Sequence, residues 1–461
     1  AEYLEEQISI LENRIRELEN PTVQGSGMVL QNPYIGQDAP TLGMLHLSRI
    51  QHIEIPPQLR EQLLSAFLSY ASELGFFLDP TRFYASATPG SSTAPPPSPA
   101  LLQTVILLAT HIYSTDSITS DMKAELLSQA VNSTSQALSS NHPDKVLQTI
   151  QAHVLLAQYF FLNGRKLEGR YNVTMAVSLV LSTRLHRIRS LEEMERRSFT
   201  YATNTDTSLP PPRDAREEME RIDAFWVVLS LNSCWATSEG TTSSLTYWKS
   251  QFRVDTPWPG RQIPLASDAT STSTIQLFLA CGADAGYSIL ALHAKACILF
   301  EQSHELSSRF SPSLSSQSTQ KWVEICTSLR TLARRFQSEL PRIETAPSPA
   351  VSRQLLVIHT LTYVTKIRIL SLMSWDPSGE ATRRAALEAV YLVKKVDLHE
   401  TTFIDPIMGV SLPQQIWIID TDTYLLMADA LDDDWTNTYA RSVSIYGNND
   451  VFRYAGATGI T

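Results

Sequence analysis

The feature that most constrains the fold of this chain is a long succession of apolar residues at helical spacing, most regular between residues 146 and 188. This segment reads VLQTIQAHVLLAQYFFLNGRKLEGRYNVTMAVSLVLSTRLHRI. Apolar residues recur every three or four positions on both sides of Gly164, and glycine is common just past the end of a helix. The segment therefore predicts two antiparallel helices that meet at Gly164.

The same spacing predicts helices along most of the remaining chain. The further predicted helices cover residues 58–78, 101–114, 120–140, 217–238, 275–303, 319–340, 347–375, 379–397 and 411–431. The sequence lacks the pattern of strands, which is short β-branched runs separated by tight turns. It also lacks the fixed repeat length of a helical repeat protein. We therefore expect an all-α protein built on one irregular multi-helix domain.

Proline, glycine and serine mark the boundaries of this domain. Residues 21–57 contain many prolines and glycines and are predicted to be a linker. The helical domain is expected to span residues 58–431 and to carry polar, mobile insertions near 85–100 and 202–215. Residues 432–461 follow the last predicted helix and are expected to form a C-terminal tail.

Residues 1–20 carry a narrower apolar pattern than the rest of the chain. The apolar residues alternate in steps of four and three, which is the period of a coiled coil, and they are Leu4, Ile8, Leu11, Ile15 and Leu18. Isoleucine at position a with leucine at position d favours two parallel strands. The seam is only about two and a half heptads long, whereas the assignment of a coiled coil needs about three or four. Two interpretations remain, a dimerisation helix or an amphipathic helix docked on its own domain, and we favour the first.

Charge and hydropathy exclude two classes of partner. The chain has a formal net charge of −10, and DNA affinity depends on lysine and arginine side chains that displace counterions. We therefore expect no sequence-specific DNA binding by these residues alone. No stretch reaches 18 apolar residues, so the sequence predicts no membrane partner.

The four cysteines are Cys234, Cys281, Cys297 and Cys326, and they are far apart in the sequence. None of them has the C-x-x-C spacing of a metal or redox motif, and a disulfide framework is unusual in so long a chain. This pattern is typical of a reducing compartment. The sequence therefore predicts neither a metal site nor a cofactor in these residues.

Four short motifs occur in a characteristic order. They are the Gly-Arg corner with its closing Leu-His-Arg (Gly164, Arg165, Gly169, His186, Arg187), a Phe-Trp helix (Phe225, Trp226), a Thr-Pro-Trp-Pro segment (Pro257, Trp258) and a late helix start (Asp405, Pro406). In this order they resemble the middle homology region of fungal binuclear zinc-cluster transcription factors. The dense matches cover about 100 residues.

This resemblance implies a function. In the family a six-cysteine cluster with two zinc ions reads DNA, and a linker and a short coiled coil follow it. Residues 1–20 lie where the coiled coil belongs, so we expect this chain to begin just after a zinc cluster that it does not contain. The resemblance implies a nuclear homodimer that contacts DNA only through the missing module. Its helical domain would respond to transcriptional co-regulators or to a small-molecule effector.

Several of these residues also have a purely structural interpretation. His186 and Arg187 are expected at the end of a helix, where positive charge interacts favourably with the helix dipole. The aromatic residues are expected mainly in the core, although they could line a small-molecule pocket. They are Tyr159, Phe160, Phe161, Tyr171, Phe225, Trp226, Trp235, Trp248 and Trp258.

Catalytic motifs are not found in the sequence. Asp432, Asp433 and Asp434 suggest the aspartate-rich magnesium site of all-α terpene cyclases, but Asn437 breaks the required spacing. Three histidines in the predicted helices are expected to be core or surface residues rather than ligands or bases. They are His153, His293 and His359. We therefore expect no enzyme, and the alternative to a transcription factor is a helical small-molecule-binding protein with no transcriptional role.

Overall fold

A computed structural model describes residues 55–88, 95–113, 118–190, 209–260, 273–282, 286–309, 316–372, 379–394, 405–409 and 411. Regular structure in these residues consists of helices, and no strand occurs among them. No helix in this described part is both long and apolar enough to cross a membrane. The predicted all-α fold class is confirmed.

Twelve α-helices are labelled here in chain order. They are α1 (Pro57–Tyr70), α2 (Pro80–Ala87), α3 (Pro99–Ile112), α4 (Ser120–Gln136), α5 (Lys145–Leu162), α6 (Lys166–Ser182), α7 (Ala215–Ser238), α8 (Thr274–Leu279), α9 (Ile289–Arg309), α10 (Ser316–Glu339), α11 (Pro349–Ser371) and α12 (Glu380–Lys394).

Several of these helices begin where a polar side chain caps the first turn. Ser98 accepts a hydrogen bond from the backbone N–H of Leu101 at the start of α3, and Asp214 accepts one from Glu217 at the start of α7. Serine and aspartate are strongly preferred at this position because their oxygens satisfy an otherwise unpaired N–H group. Proline follows Ser98 directly, where its fixed φ suits the first helical residue.

Two hydrophobic cores share helix α5. Leu156 and Phe160 pack with residues of α1 to α4. Val154 and Phe161 pack instead with residues of α6 to α12. Because α5 is buried on both sides, its sequence is apolar around most of the helix.

Helix α7 lies at the centre of the larger core. Every residue from Ala224 to Ser238 is buried. The polar side chains of this stretch find internal partners: Asn232 Nδ2 donates to Ser243 Oγ at 2.7 Å, and Ser233 Oγ donates to Glu301 Oε2 at 2.7 Å. Burial of these polar groups is therefore compensated by hydrogen bonds.

Some predicted helix boundaries differ from the observed ones. The predicted helix 275–303 is two helices, α8 and α9, because Cys281 adopts a left-handed conformation (φ 58°) just after α8. The predicted helix 58–78 ends at Tyr70, and the chain then turns at Gly75 (φ 74°). Helix α2, capped by Asp79, was not predicted.

Part of the predicted organisation falls outside the described residues. This applies to the coiled-coil residues 1–20, to almost all of the linker 21–57, to the helix at 411–431 except Ser411, and to the tail 432–461. The structure describes residues 85–88 and 95–100 of the first predicted insertion and residues 209–215 of the second.

Candidate functional site

A cavity of about 430 Å³ lies between the N-terminal and C-terminal helices of the described domain. Its lining comes from the turn after α1 (residues 72–80), from α5, α7, α9 and α11, and from residues 405–408. The volume is within the range of pockets that hold small organic ligands, about 300–1,000 Å³. Residues 72–78 form one wall of this cavity. They were predicted to continue the helix at 58–78, but α1 ends at Tyr70 and these residues turn instead.

The cavity wall combines apolar side chains with a few polar groups. Phe76, Phe77, Met219, Leu231 and Trp235 are among its apolar members. The turn that holds Phe76 and Phe77 is fixed by α5, because Phe77 N–H donates to Gln151 Oε1 at 2.7 Å and Gln151 Nε2 donates to Gly75 O at 3.1 Å. This mixture of apolar surface and few polar groups is typical of ligand sites.

Carboxyl groups give the cavity its electrostatic character. Burial and the neighbouring charge of Glu220 raise the pKa of Asp223 to about 7. Burial raises the pKa of Asp405 to about 6 and also raises the pKa of Glu220. Groups shifted in this way bind a proton, a cation or a hydrogen-bond donor more readily than exposed carboxylates do.

Two arginines border the same cavity and are already paired with carboxylates. Arg353 donates from both Nε and Nη2 to the two oxygens of Glu73, each at 2.6 Å. Arg216 Nη1 lies 3.2 Å from Asp79 Oδ2. The Arg353–Glu73 pair ties α11 to the turn after α1 at the border of the cavity.

Two of the widely separated cysteines meet at the cavity wall. Cys234 on α7 donates from Sγ to Sγ of Cys297 on α9, at 3.1 Å. His293 lies one turn before Cys297 on α9, and both His293 and Cys234 line the cavity. Sequence spacing gave no indication of this meeting, because the two cysteines come from different helices.

Three of the sequence motifs contact one another away from the cavity. They are the Leu-His-Arg, Phe-Trp and Thr-Pro-Trp-Pro stretches. Trp226 Nε1 donates to Pro257 O at 2.7 Å, and its ring stacks on Trp258 with centroids 4.3 Å apart. Thr256 Oγ1 donates to Leu185 O at 2.5 Å, and the backbone N–H of Asp255 donates to His186 O at 3.0 Å. These motifs therefore bind one another and hold the segment after α6 against α7.

His186 and Arg187 end a short 3₁₀ helix and not the preceding α-helix. Helix α6 ends at Ser182, and Arg184 then takes a left-handed conformation (φ 59°) before a 3₁₀ turn from Leu185 to Arg187. The His186 carbonyl is engaged by the Thr-Pro-Trp-Pro segment instead of continuing the helical ladder.

The Gly-Arg corner has the predicted form. Helix α5 ends at Leu162 and Gly164 follows with φ 70°. Arg165 Nε donates to Glu168 Oε1 at 2.8 Å, and its guanidinium lies 4.7 Å from the centre of the Phe160 ring. Gly169 packs directly against the ring of Phe161.

Only one of the nine aromatic residues considered above lines the cavity. That residue is Trp235, whose indole stacks on Phe161 with centroids 3.6 Å apart. Tyr171 and Trp248 are exposed at 57% and 38%, and the others pack in the cores or against them. The aromatic pattern therefore indicated the core and not the cavity.

Two of the three helical histidines have hydrogen-bond partners nearby. His153 Nδ1 is 3.0 Å from Asn172 Oδ1, and His359 Nε2 is 2.9 Å from Pro341 O, so both have local partners. Asp405, just before Pro406, accepts a hydrogen bond from the N–H of Ile407 at 2.9 Å. Asp432, Asp433 and Asp434 lie outside the described residues.

Sequence reasoning missed most of the polar residues at the cavity. Asp223 could have been noticed as a lone carboxyl group within the apolar run RIDAFWVV. The spacing of His293 and Cys297 was a second signal, since residues four apart share one face of a helix.

The family described as fungal specific transcription factor domain matches residues 64–336, more than half of the chain. The chain belongs to this family. The match confirms the resemblance read from the motif order, and it includes α5 to α7 and the motif cluster around Trp226 and Trp258. Searches of curated proteins and of solved structures found no match.

Proposed function

We propose that this fungal transcription factor domain is the regulatory and dimerisation part of a nuclear, sequence-specific transcription factor. DNA reading would be done by a six-cysteine zinc cluster outside these 461 residues, since the four cysteines of this chain lack the spacing of such a cluster. Family membership is the observation that carries the proposal. A net charge of −10 agrees with it, because this part would then need no affinity of its own for DNA.

The cavity supports a regulatory role for the helical domain. It is bordered by six helical or turn segments that are far apart in the sequence, from residues 72–80 to residues 405–408. A ligand held there would contact all of them and would favour one arrangement of the domain over others. The apolar wall and the carboxyl groups of Glu220 and Asp223 fit a small molecule with an apolar body and a cationic or hydrogen-bond-donating group. Co-regulators would then bind the surface that the domain presents in that arrangement.

A helical small-molecule-binding protein without a transcriptional role is the second candidate, and the cavity alone favours it equally. The two candidates differ in what the domain does at a promoter. We therefore fuse the 461-residue chain to an unrelated DNA-binding domain and measure a reporter gene whose promoter contains the matching site.

The transcriptional proposal predicts a several-fold change in reporter output relative to the DNA-binding domain alone. Phe225→Asp places a carboxylate in the core and should abolish the change, because Phe225 is fully buried. Tyr171→Asp adds the same charge at an exposed site and should preserve it. A stable, nuclear fusion that leaves the reporter unchanged would contradict the proposal and favour the second candidate.

A further inference from the structure

Three neighbouring side chains, two of which line the cavity, have the donor set of a metal site. The ligand atoms of Cys234, His293 and Cys297 all lie within 4.8 Å of one another. His293 and Cys297 are four residues apart on α9 and so lie on one face of that helix. Cys234 reaches them from the buried central helix α7. Three ligand atoms from two packed helices are therefore held together by the core itself.

We propose that Cys234, His293 and Cys297 bind a thiophilic divalent cation, namely Zn²⁺. Two thiolates and one imidazole are ligands that zinc prefers, and three protein ligands leave a fourth position for another group. The inference does not depend on the proposed transcriptional role, and this site is separate from the zinc cluster expected outside the chain.

The hydrogen bonds of the three side chains leave lone pairs on their ligand atoms that could bind a cation. The Cys234 thiol donates to Cys297 Sγ, so the two sulfurs already face each other. Nε2 of His293 is buried and has no hydrogen-bond partner among the described residues. A buried imidazole nitrogen without a partner is costly, and a metal ion bound there would supply the partner. A cation held by this nitrogen would also bind both sulfurs.

Zinc binds the thiolate form of cysteine and the neutral form of histidine. Its binding to this group would therefore release the protons of both thiols, and any second proton on the imidazole, to solvent.

The geometry requires only a small adjustment. Two sulfurs bound to zinc at about 2.3 Å with tetrahedral angles lie about 3.8 Å apart. The present separation is 3.1 Å, so the sulfurs must move slightly outward. A side-chain rotation within the cavity wall is sufficient for a change of this size.

Asp405 borders the same cavity as Cys234 and His293, but its carboxylate is not among the ligand atoms that lie within 4.8 Å of one another. The fourth position is therefore left to a water molecule or to a ligand in the cavity.

The test uses the whole 461-residue chain, reduced with a phosphine and freed of metal. Co²⁺ is added as the probe, because thiolate-bound tetrahedral Co²⁺ has strong absorption bands that Zn²⁺ lacks. We expect one Co²⁺ per chain with sulfur-to-cobalt charge-transfer absorption, and we expect one equivalent of Zn²⁺ to displace it. A folded, reduced chain that shows no such absorption would overturn the proposal.

Variants assign the signal to these side chains. Cys297→Ser should lose the charge-transfer absorption, whereas Cys326→Ser, which changes the other buried cysteine outside the group, should keep it. His293→Gln should weaken Zn²⁺ binding by about tenfold or more, as even outer-sphere partners of a metal are worth that much. Circular dichroism confirms that each variant is folded. Absorption that survives in a folded Cys297→Ser chain would refute the assignment. The rate at which Cys234 and Cys297 form a disulfide under oxidation is a second measurement, and an equal rate with and without Zn²⁺ would also refute it.

Discussion

Asp223 is the residue whose environment departs most clearly from that of a surface carboxyl group. It lies on α7 immediately before the fully buried stretch of that helix and faces the cavity. Burial and the charge of Glu220 raise its pKa from 3.8 to about 7. The folded protein therefore keeps this proton up to about pH 7, whereas the unfolded chain loses it near pH 4. The stability that Asp223 contributes is present below pH 4 and is lost as the pH rises to 7.

Replacing Asp223 with asparagine removes this dependence while conserving size. We expect Asp223→Asn to increase the free energy of unfolding at pH 8 by about 2–4 kcal/mol, because each unit of pKa shift corresponds to about 1.4 kcal/mol. At pH 4 the variant and the wild type should be nearly equally stable. Thermal or urea unfolding at the two pH values measures the difference.

Glu324→Gln on the exposed face of α10 is the matched control. It removes one carboxyl group outside the cavity and should change stability by the same small amount at both pH values. If Asp223→Asn stabilises no more at pH 8 than at pH 4, the assigned environment of Asp223 is incorrect.

At the scale of elements, the α5–α6 pair shows how one close contact fixes two helices. A Cβ added at Gly169 would lie 2.3 Å from the ring of Phe161. That ring cannot easily move aside, because it stacks on Trp235 at 3.6 Å within the core. Gly169 therefore allows α6 to approach α5 closely.

Gly169→Ala should destabilise the domain by about 1–3 kcal/mol, which is the usual cost of overpacking a core. Helix propensity alone predicts the opposite sign, since alanine is favoured over glycine inside a helix by about 0.5–1 kcal/mol. The sign of the change in urea midpoint thus distinguishes packing from propensity. Thr174→Ala, at an exposed position of α6, is the control and should be close to neutral.

The elements also show what the sequence could predict. The α5–α6 pair and its turn at Gly164 were predicted, because apolar periodicity and a left-handed glycine are local signals. The division of 275–303 into α8 and α9 was not, because the break occurs at Cys281, a residue that rarely adopts a left-handed conformation. The cavity was not predicted either, since Cys234, His293 and Asp405 become neighbours only through the packing of separate segments.

At the scale of the whole molecule, the proposed function requires two chains to pair. Residues 1–20 lie outside the described part, and their sequence carries the apolar seam predicted to pair the chains, which consists of Leu4, Ile8, Leu11, Ile15 and Leu18. Charged residues at positions a and d would put unpaired charge into that seam. Leu11→Asp combined with Ile15→Asp should therefore shift the chain towards monomer in sedimentation velocity.

The matched variant carries the same two charges away from the seam. Ser9→Asp combined with Asn13→Asp changes positions b and f of the same heptads and should leave self-association intact. Equal sedimentation of the seam variant and the wild type would count against a dimerisation role for residues 1–20.

The central claim is that this member of the fungal specific transcription factor domain family acts at promoters. Chromatin immunoprecipitation of the protein, tagged at its own chromosomal locus in the fungal cell, measures this most directly. The account predicts enrichment at a limited set of promoters that share one DNA sequence element. A tagged protein that is expressed and folded but shows no promoter enrichment would contradict it.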